Sequence, residues 1–86
     1  MAVVGRREPI GRYIALDRAV DPAEVRLRDS GVPVWALVGY WRAVDEDADR
    51  VATAYRIPRP AVDAALAYYR DHQQEINARL AANAAA

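Results

Sequence analysis

The 86-residue sequence predicts a mainly α fold: three helices in a helix-turn-helix-like core, a short N-terminal β-ribbon before it, and a long last helix. Three observations carry this. From Val34 onward, apolar residues recur at spacings of three and four, the period of a helix buried on one face. Glycine (4) and proline (5) are few while alanine is abundant, a composition that favours helix. Finally, Ile57-Pro58-Arg59-Pro60 interrupts the periodic pattern, because a proline pushes the residue before it out of helical geometry. The layout read from this is a mobile arm over 1–11, one domain over 12–83 and a tail over 84–86.

The elements follow in order. Arg12-Tyr13-Ile14-Ala15-Leu16 is β-prone and reads as a short strand. Asp21-Pro22-Ala23-Glu24 has the form of a helix start, with Asp as N-cap and Pro at the first position. Val25-Arg26-Leu27-Arg28 then alternates apolar and charged, as a strand does. Residues 22–34 are therefore read either as a helical turn or as a hairpin. Asp29-Ser30-Gly31 is the loop candidate, with glycine where φ is free to be positive, and Val32-Pro33-Val34 the returning edge.

Val34, Leu37, Val38, Trp41 and Val44 form the stripe of the first long helix. Asp45-Glu46-Asp47 stops it and supplies capping acids for a second, where Ala48, Val51, Ala52 and Tyr55 face inward. The third helix opens at Arg59-Pro60. Its seam runs Val62, Leu66, Tyr69, Gln73, Ile76 and Leu80, polar only at Gln73, and predicts one helix to about Asn83, roughly 35 Å at 1.5 Å per residue. Two short helices cover only about three turns of it. The stretch from Arg70 to Leu80 is therefore expected to overhang and present Ile76 and Leu80 as a binding surface.

Composition narrows the function. Cysteine is absent, so disulfide staples and thiolate metal sites are excluded, which favours a cytoplasmic setting. No signal peptide or membrane span is expected. His72 is the only histidine, Ser30 the only serine, Thr53 the only threonine, and lysine is absent. With no nucleophile and base at suitable spacing, no catalytic residue, cofactor or metal is expected, and the chain is read as a binding module rather than an enzyme. Asp45-x-Asp47-x-Asp49 begins like a calcium loop, but the sixth and twelfth positions hold Arg50 and Arg56 instead of Gly and Glu.

The net charge is zero, which argues against strong non-specific nucleic-acid binding. A local basic set remains: Arg6, Arg7, Arg12, Arg18, Arg26 and Arg28, interleaved with four acids. Arg12, Arg26 and Arg28 are candidate phosphate contacts. Arg59 and Asp63, at the start of the third helix, are candidate base contacts, although Ala64 and Ala67 beside them offer only methyl groups. Trp41 and Tyr69 lie on the stripes. Trp35, Tyr40 and Tyr68 lie beside or off them and are candidate interface aromatics.

Val32-Pro33-Val34-Trp35, the helix ending Ala54-Tyr55, the Ile57-Pro58 turn, Val62-Asp63-Ala64-Ala65-Leu66-Ala67-Tyr68-Tyr69 and Ile76-Asn77-Ala78-Arg79-Leu80 together resemble the VapB-type antitoxin-like family, domain of unknown function number 433. Tyr13-Ile14-Ala15-Leu16-Asp17 resembles its opening strand. The family's Gly-Lys-Pro and Gly-Thr-Arg places hold Ala23-Glu24-Val25 and Asp29-Ser30-Gly31 here. The resemblance implies a type II antitoxin that pairs with a PIN-domain ribonuclease toxin, forms a homodimer and binds operator DNA to repress its own operon. Toxin contact is expected from Leu66, Tyr69, Arg70, Gln73, Ile76, Arg79 and Leu80. Arg70 or Arg79 would enter the nuclease's carboxylate cluster as a bidentate block. The alternative is a stand-alone helix-turn-helix DNA-binding regulator.

Overall fold

The computed structural model describes residues 10–16 and 21–85. The expected arm over 1–9, with Arg6 and Arg7, lies outside the described residues, as do 17–20 with Arg18, and Ala86. Among the described residues the chain is mainly helical: α1 (Ile10–Tyr13), a 3-10 turn (Pro22–Glu24), α2 (Val34–Ala43), α3 (Ala48–Tyr55), α4 (Arg59–Asp71) and α5 (Gln73–Ala85).

Of the segment 12–16 expected as a strand, Arg12 and Tyr13 lie in α1 and Ile14 makes an isolated bridge. Ile10 to Tyr13 closes a single helical turn, with the Ile14 N–H donating to the Ile10 carbonyl at 2.8 Å. That turn lets Ile10 and Tyr13, three apart, lean on the core together. Extended pairing begins only at Ile14, which bridges Leu27, while Arg26 bridges Pro33; both bridges are antiparallel and isolated. Residues 22–34 combine both readings. Asp21 caps the 3-10 turn by accepting from the Ala23 N–H at 2.9 Å. Val25 and Leu27 are then buried while Arg26 and Arg28 are exposed, the alternation of an extended segment. Gly31 turns the chain at φ 75°, where a side chain would be strained.

α2 and α3 begin and end within a residue of the expected positions. Asp47 caps α3 by accepting from the Arg50 N–H at 3.1 Å. Each helix ends in a Schellman motif built without glycine. After α2, the Glu46 N–H bonds the Trp41 carbonyl and Asp45 N–H the Arg42 carbonyl, with Asp45 at φ 57°. After α3, the Ile57 N–H bonds the Ala52 carbonyl and Arg56 N–H the Thr53 carbonyl, with Arg56 at φ 58°. The second motif folds Ile57 back onto the core.

The largest correction concerns the last helix. The single helix expected to about Asn83 is two helices, broken at His72, whose φ is −133° and ψ 40°. No overhang results. α5 turns back and packs along α2 and against the 3-10 turn. Ile76 is fully buried and Leu80 half-buried. The balance of forces explains the break. A straight helix would leave Ile76 in water, and burying such a side chain contributes about 1.5–3 kcal/mol. The break takes the Gln73, Gln74 and Glu75 N–H groups and the Tyr68 carbonyl out of the helical ladder, at roughly 0.5–1.5 kcal/mol net per bond. The burial of Leu80 and the contacts of Asn77 and Arg79 add to the gain, and part of the lost bonding is recovered. The His72 N–H shifts to the Tyr69 carbonyl at 3.0 Å, and the His72 ring Nδ1 takes the vacated Tyr68 carbonyl at 3.1 Å. A carbonyl only accepts, so this contact requires a proton on Nδ1.

α4 is the central helix, touching α1, α2, α3 and α5. Seven of its thirteen residues are buried, which is why its first half has little surface to offer a ligand.

Candidate partner-binding surface

The residues expected to bind a partner fall into three groups. Leu66, Tyr69 and Ile76 are core, and Leu80 packs on it. Arg79 is engaged inside the chain. Its Nε donates to Glu24 at 2.7 Å and its guanidinium lies over the Trp35 ring, 4.3 Å from the centroid. Arg70 and Gln73 alone of the set are fully on the surface. The structure thus dissolves the apolar seam as an exposed patch and leaves a polar pair flanking the His72 break.

A partly exposed polar clasp joins α4 and α5 to α2 near that corner. The Arg42 guanidinium donates to the Tyr69 hydroxyl and to Asn77 Oδ1, the latter at 2.8 Å, and the Tyr69 hydroxyl donates to Asn77 at 2.8 Å. Arg42 also lies over the Tyr69 ring, and Trp41 meets that ring edge-on. Three helices, α2, α4 and α5, are fixed to one another at this point. On the opposite side Tyr68 donates its hydroxyl to the Pro22 carbonyl at 2.8 Å and stacks on His72 at 4.1 Å. Tyr68, expected as an interface aromatic, is a core residue at 4% exposure. Burial pushes its hydroxyl pKa up, helped by the negative charges of Glu75 and Asp21.

Trp35 and Tyr40, the other two interface candidates, are half-buried. Tyr40 meets Tyr55 edge-on at 5.8 Å, and the Tyr55 hydroxyl reaches the Ala36 carbonyl at 3.4 Å. Burial raises the Tyr55 pKa, with Tyr40 adding to it. Leu16 is the one large apolar side chain that is well exposed among the described residues.

The nucleic-acid candidates are occupied. Arg59 donates to Asp63 at 2.9 Å and to Asp49 at 2.5 Å, and these carboxylates raise its pKa. Both proposed base contacts of α4 are thus spent on each other. Arg26 donates to the Gly31 carbonyl at 2.8 Å and Arg28 to the Gly11 carbonyl at 3.1 Å, so these arginines hold the turns together. Arg12 lies over the Tyr13 ring. The open cleft beside them, about 560 Å³, mixes Arg26 and Arg28 with Glu24 and Asp29, so it has no uniform positive potential for a phosphate track. Among the described residues, Arg50, Arg56 and Arg70 are the arginines whose guanidinium groups make no ion pair, hydrogen bond or ring contact.

Sequence reasoning missed the clasp and the docking of α5. One signal outside the last helices pointed to the docking: Gly39 in the middle of α2. A Cβ on Gly39 would stand 3.1 Å from Leu80 Cδ2, so the glycine marks the close approach of the two helices. Among the described residues no group of three or more His, Asp or Glu side chains could hold a metal ion, and no helix is long and apolar enough to cross a membrane.

No family model, curated protein or solved structure matches this chain. The likeness to the antitoxin-like family accordingly stands on the residues quoted for it.

Proposed function

We propose that the chain is a protein-binding module, the antitoxin of a type II toxin–antitoxin pair that binds and inhibits a PIN-type ribonuclease. The observation that carries this reading is the state of the arginines. Those placed to read or hold DNA are tied to carboxylates and carbonyls of their own chain, whereas Arg70 stands unpaired on the surface, next in sequence to Tyr69, which Arg42 and Asn77 hold. An unpaired, exposed guanidinium is suited to enter a carboxylate cluster and displace its metal. Gln73, exposed just past the His72 break, supplies further hydrogen-bonding capacity. The ordered motif likeness supports the same reading. Arg79 is kept for α5 docking and has no toxin role here.

Autoregulation is the second part of the proposal. α2, α3 and α4, with the three-residue turn over 56–58, have the outline of a helix-turn-helix. Arg50 and Arg56 project unpaired from α3 and its C-terminal turn. DNA contact would then be made to phosphates, would be weakly sequence-selective, and would weaken steeply with salt.

The test is a ribonuclease assay on the toxin recovered with the tagged chain. Arg70→Ala with Gln73→Ala is expected to release nuclease activity while leaving the circular dichroism and melting of the chain unchanged. Full inhibition by the double variant contradicts the proposed block. A gel shift against upstream DNA separates the second part: loss of the shift in Arg50→Ala with Arg56→Ala supports phosphate contact, and tight salt-independent binding opposes it.

A further inference from the structure

We propose that α5 exchanges between two copies of the chain, straightening into one helix with α4 and docking on the partner's α2 in place of its own. This goes beyond the functional reading above and does not depend on it.

The hinge is a single residue. Tyr69 to Asp71 and Gln73 onward are helical, and only His72 leaves helical geometry, at φ −133° and ψ 40°. Nothing in the local sequence requires that break, since no glycine or proline occurs from Ala61 to Ala86. The apolar seam Val62, Leu66, Tyr69, Gln73, Ile76 and Leu80 also keeps its 4-3-4-3-4 phase straight through position 72, as a continuous helix would. Local propensity thus favours one helix, and the bend is held by the docking of α5 together with the His72 ring, which bonds the Tyr68 carbonyl and stacks on Tyr68.

That docking is separable. α5 packs on α2 and the 3-10 turn through Ile76, Leu80, Asn77 and Arg79, with their partners Gly39, Arg42, Glu24 and Trp35. Every one of these contacts is reproduced when α5 comes from a second chain. The contact between the Tyr69 hydroxyl and Asn77, which spans the bend, passes between chains. Opening the hinge restores the His72 N–H bond to the Tyr68 carbonyl, in place of the ring contact. The closed and exchanged forms therefore differ in hinge geometry, which favours exchange, and in association entropy, which favours the monomer. Concentration decides between them, the signature of a domain swap.

The experiment uses the full chain and varies the hinge. Light scattering across a concentration series is expected to show a monomer passing to a dimer. His72→Ala, a strong helix former without the ring that caps the bend, should raise the dimer constant. His72→Gly, a poor helix former, should lower it. The helix-propensity difference is about 5-fold per chain, and two hinges open per dimer, so the two variants should differ by roughly 25-fold. Because the chain has no cysteine, Gly39→Cys in one population and Leu80→Cys in another report the exchange directly. A disulfide should join unlike chains after mixing, and a Thr53→Cys partner, exposed on α3, should give none with Leu80→Cys. A His72→Ala chain that stays monomeric at every concentration overturns the proposal. So does a dimer in which the 39–80 disulfide does not form between chains.

Discussion

Tyr68 and Tyr69 are neighbours on α4, yet they tie it to different parts of the molecule. The Tyr68 hydroxyl reaches the Pro22 carbonyl and the Tyr69 hydroxyl reaches Asn77 on α5. Tyr68→Phe keeps the buried ring and removes one hydrogen bond, so a loss of roughly 0.5–1.5 kcal/mol is expected, read as a Tm lower by several degrees. The same residue makes stability depend on pH. Burial, then Glu75 and Asp21, raise its pKa, so the folded state holds the proton more tightly than the unfolded chain. The stabilisation is complete below the unfolded value of about 10 and is lost as pH rises through the higher folded value. Tyr68→Phe should therefore flatten the alkaline limb of a stability–pH curve. An unchanged limb would assign alkaline unfolding to another group. At Arg56 the expectation has the opposite sign. A non-glycine residue in the left-handed region is strained by about 1–2 kcal/mol, while glycine loses more backbone entropy on folding. Arg56→Gly should stabilise the chain by about 0.5–1 kcal/mol, seen as a higher denaturant midpoint with an unchanged slope.

At the scale of elements, periodicity located α2 and α3 closely because each stripe is bounded by strong local chemistry. Asp47 caps one start, and turn residues end both helices. The bend at His72 was not legible for the complementary reason: no local residue encodes it. Every signal from Arg59 to Leu80 is consistent with one helix, and the break exists because α2 offers Ile76 and Leu80 a place to bury. That competition lies between distant segments, and a local pattern does not contain it. The N-terminal turn is similar, since Arg12 and Tyr13, the first residues of the β-prone segment 12–16, lie in a helical turn through which Ile10 and Tyr13 reach the core together. Ile76→Ala tests the weight of this docking. A fully buried isoleucine cut to alanine costs about 2–5 kcal/mol. A loss under about 1 kcal/mol, well short of that range, would mean that α5 contributes little to the fold. Asp47→Ala, by contrast, removes only a cap, and about 1 kcal/mol should go with it.

For the molecule as a whole, composition sets the inventory of side chains available. One histidine, no cysteine and no lysine leave few routes to catalysis, and the structure places that histidine at a helix break, stacked on a tyrosine. The positions proposed for binding were less legible, because amphipathic spacing marks a face without saying what covers it. Leu66, Tyr69 and Ile76 have the spacing of an interface seam, and their own chain covers them. Of the residues expected to meet a toxin, Arg70 and Gln73, at the corner where α4 meets α5, are the ones left fully on the surface. Affinity capture of the tagged full chain from its own nuclease-treated host lysate, with bound proteins identified by mass, tests the proposed role most directly. The account predicts a stoichiometric small ribonuclease rich in carboxylates, released or reactivated by Arg70→Ala with Gln73→Ala. Recovery of the chain with no protein but itself would contradict the antitoxin reading.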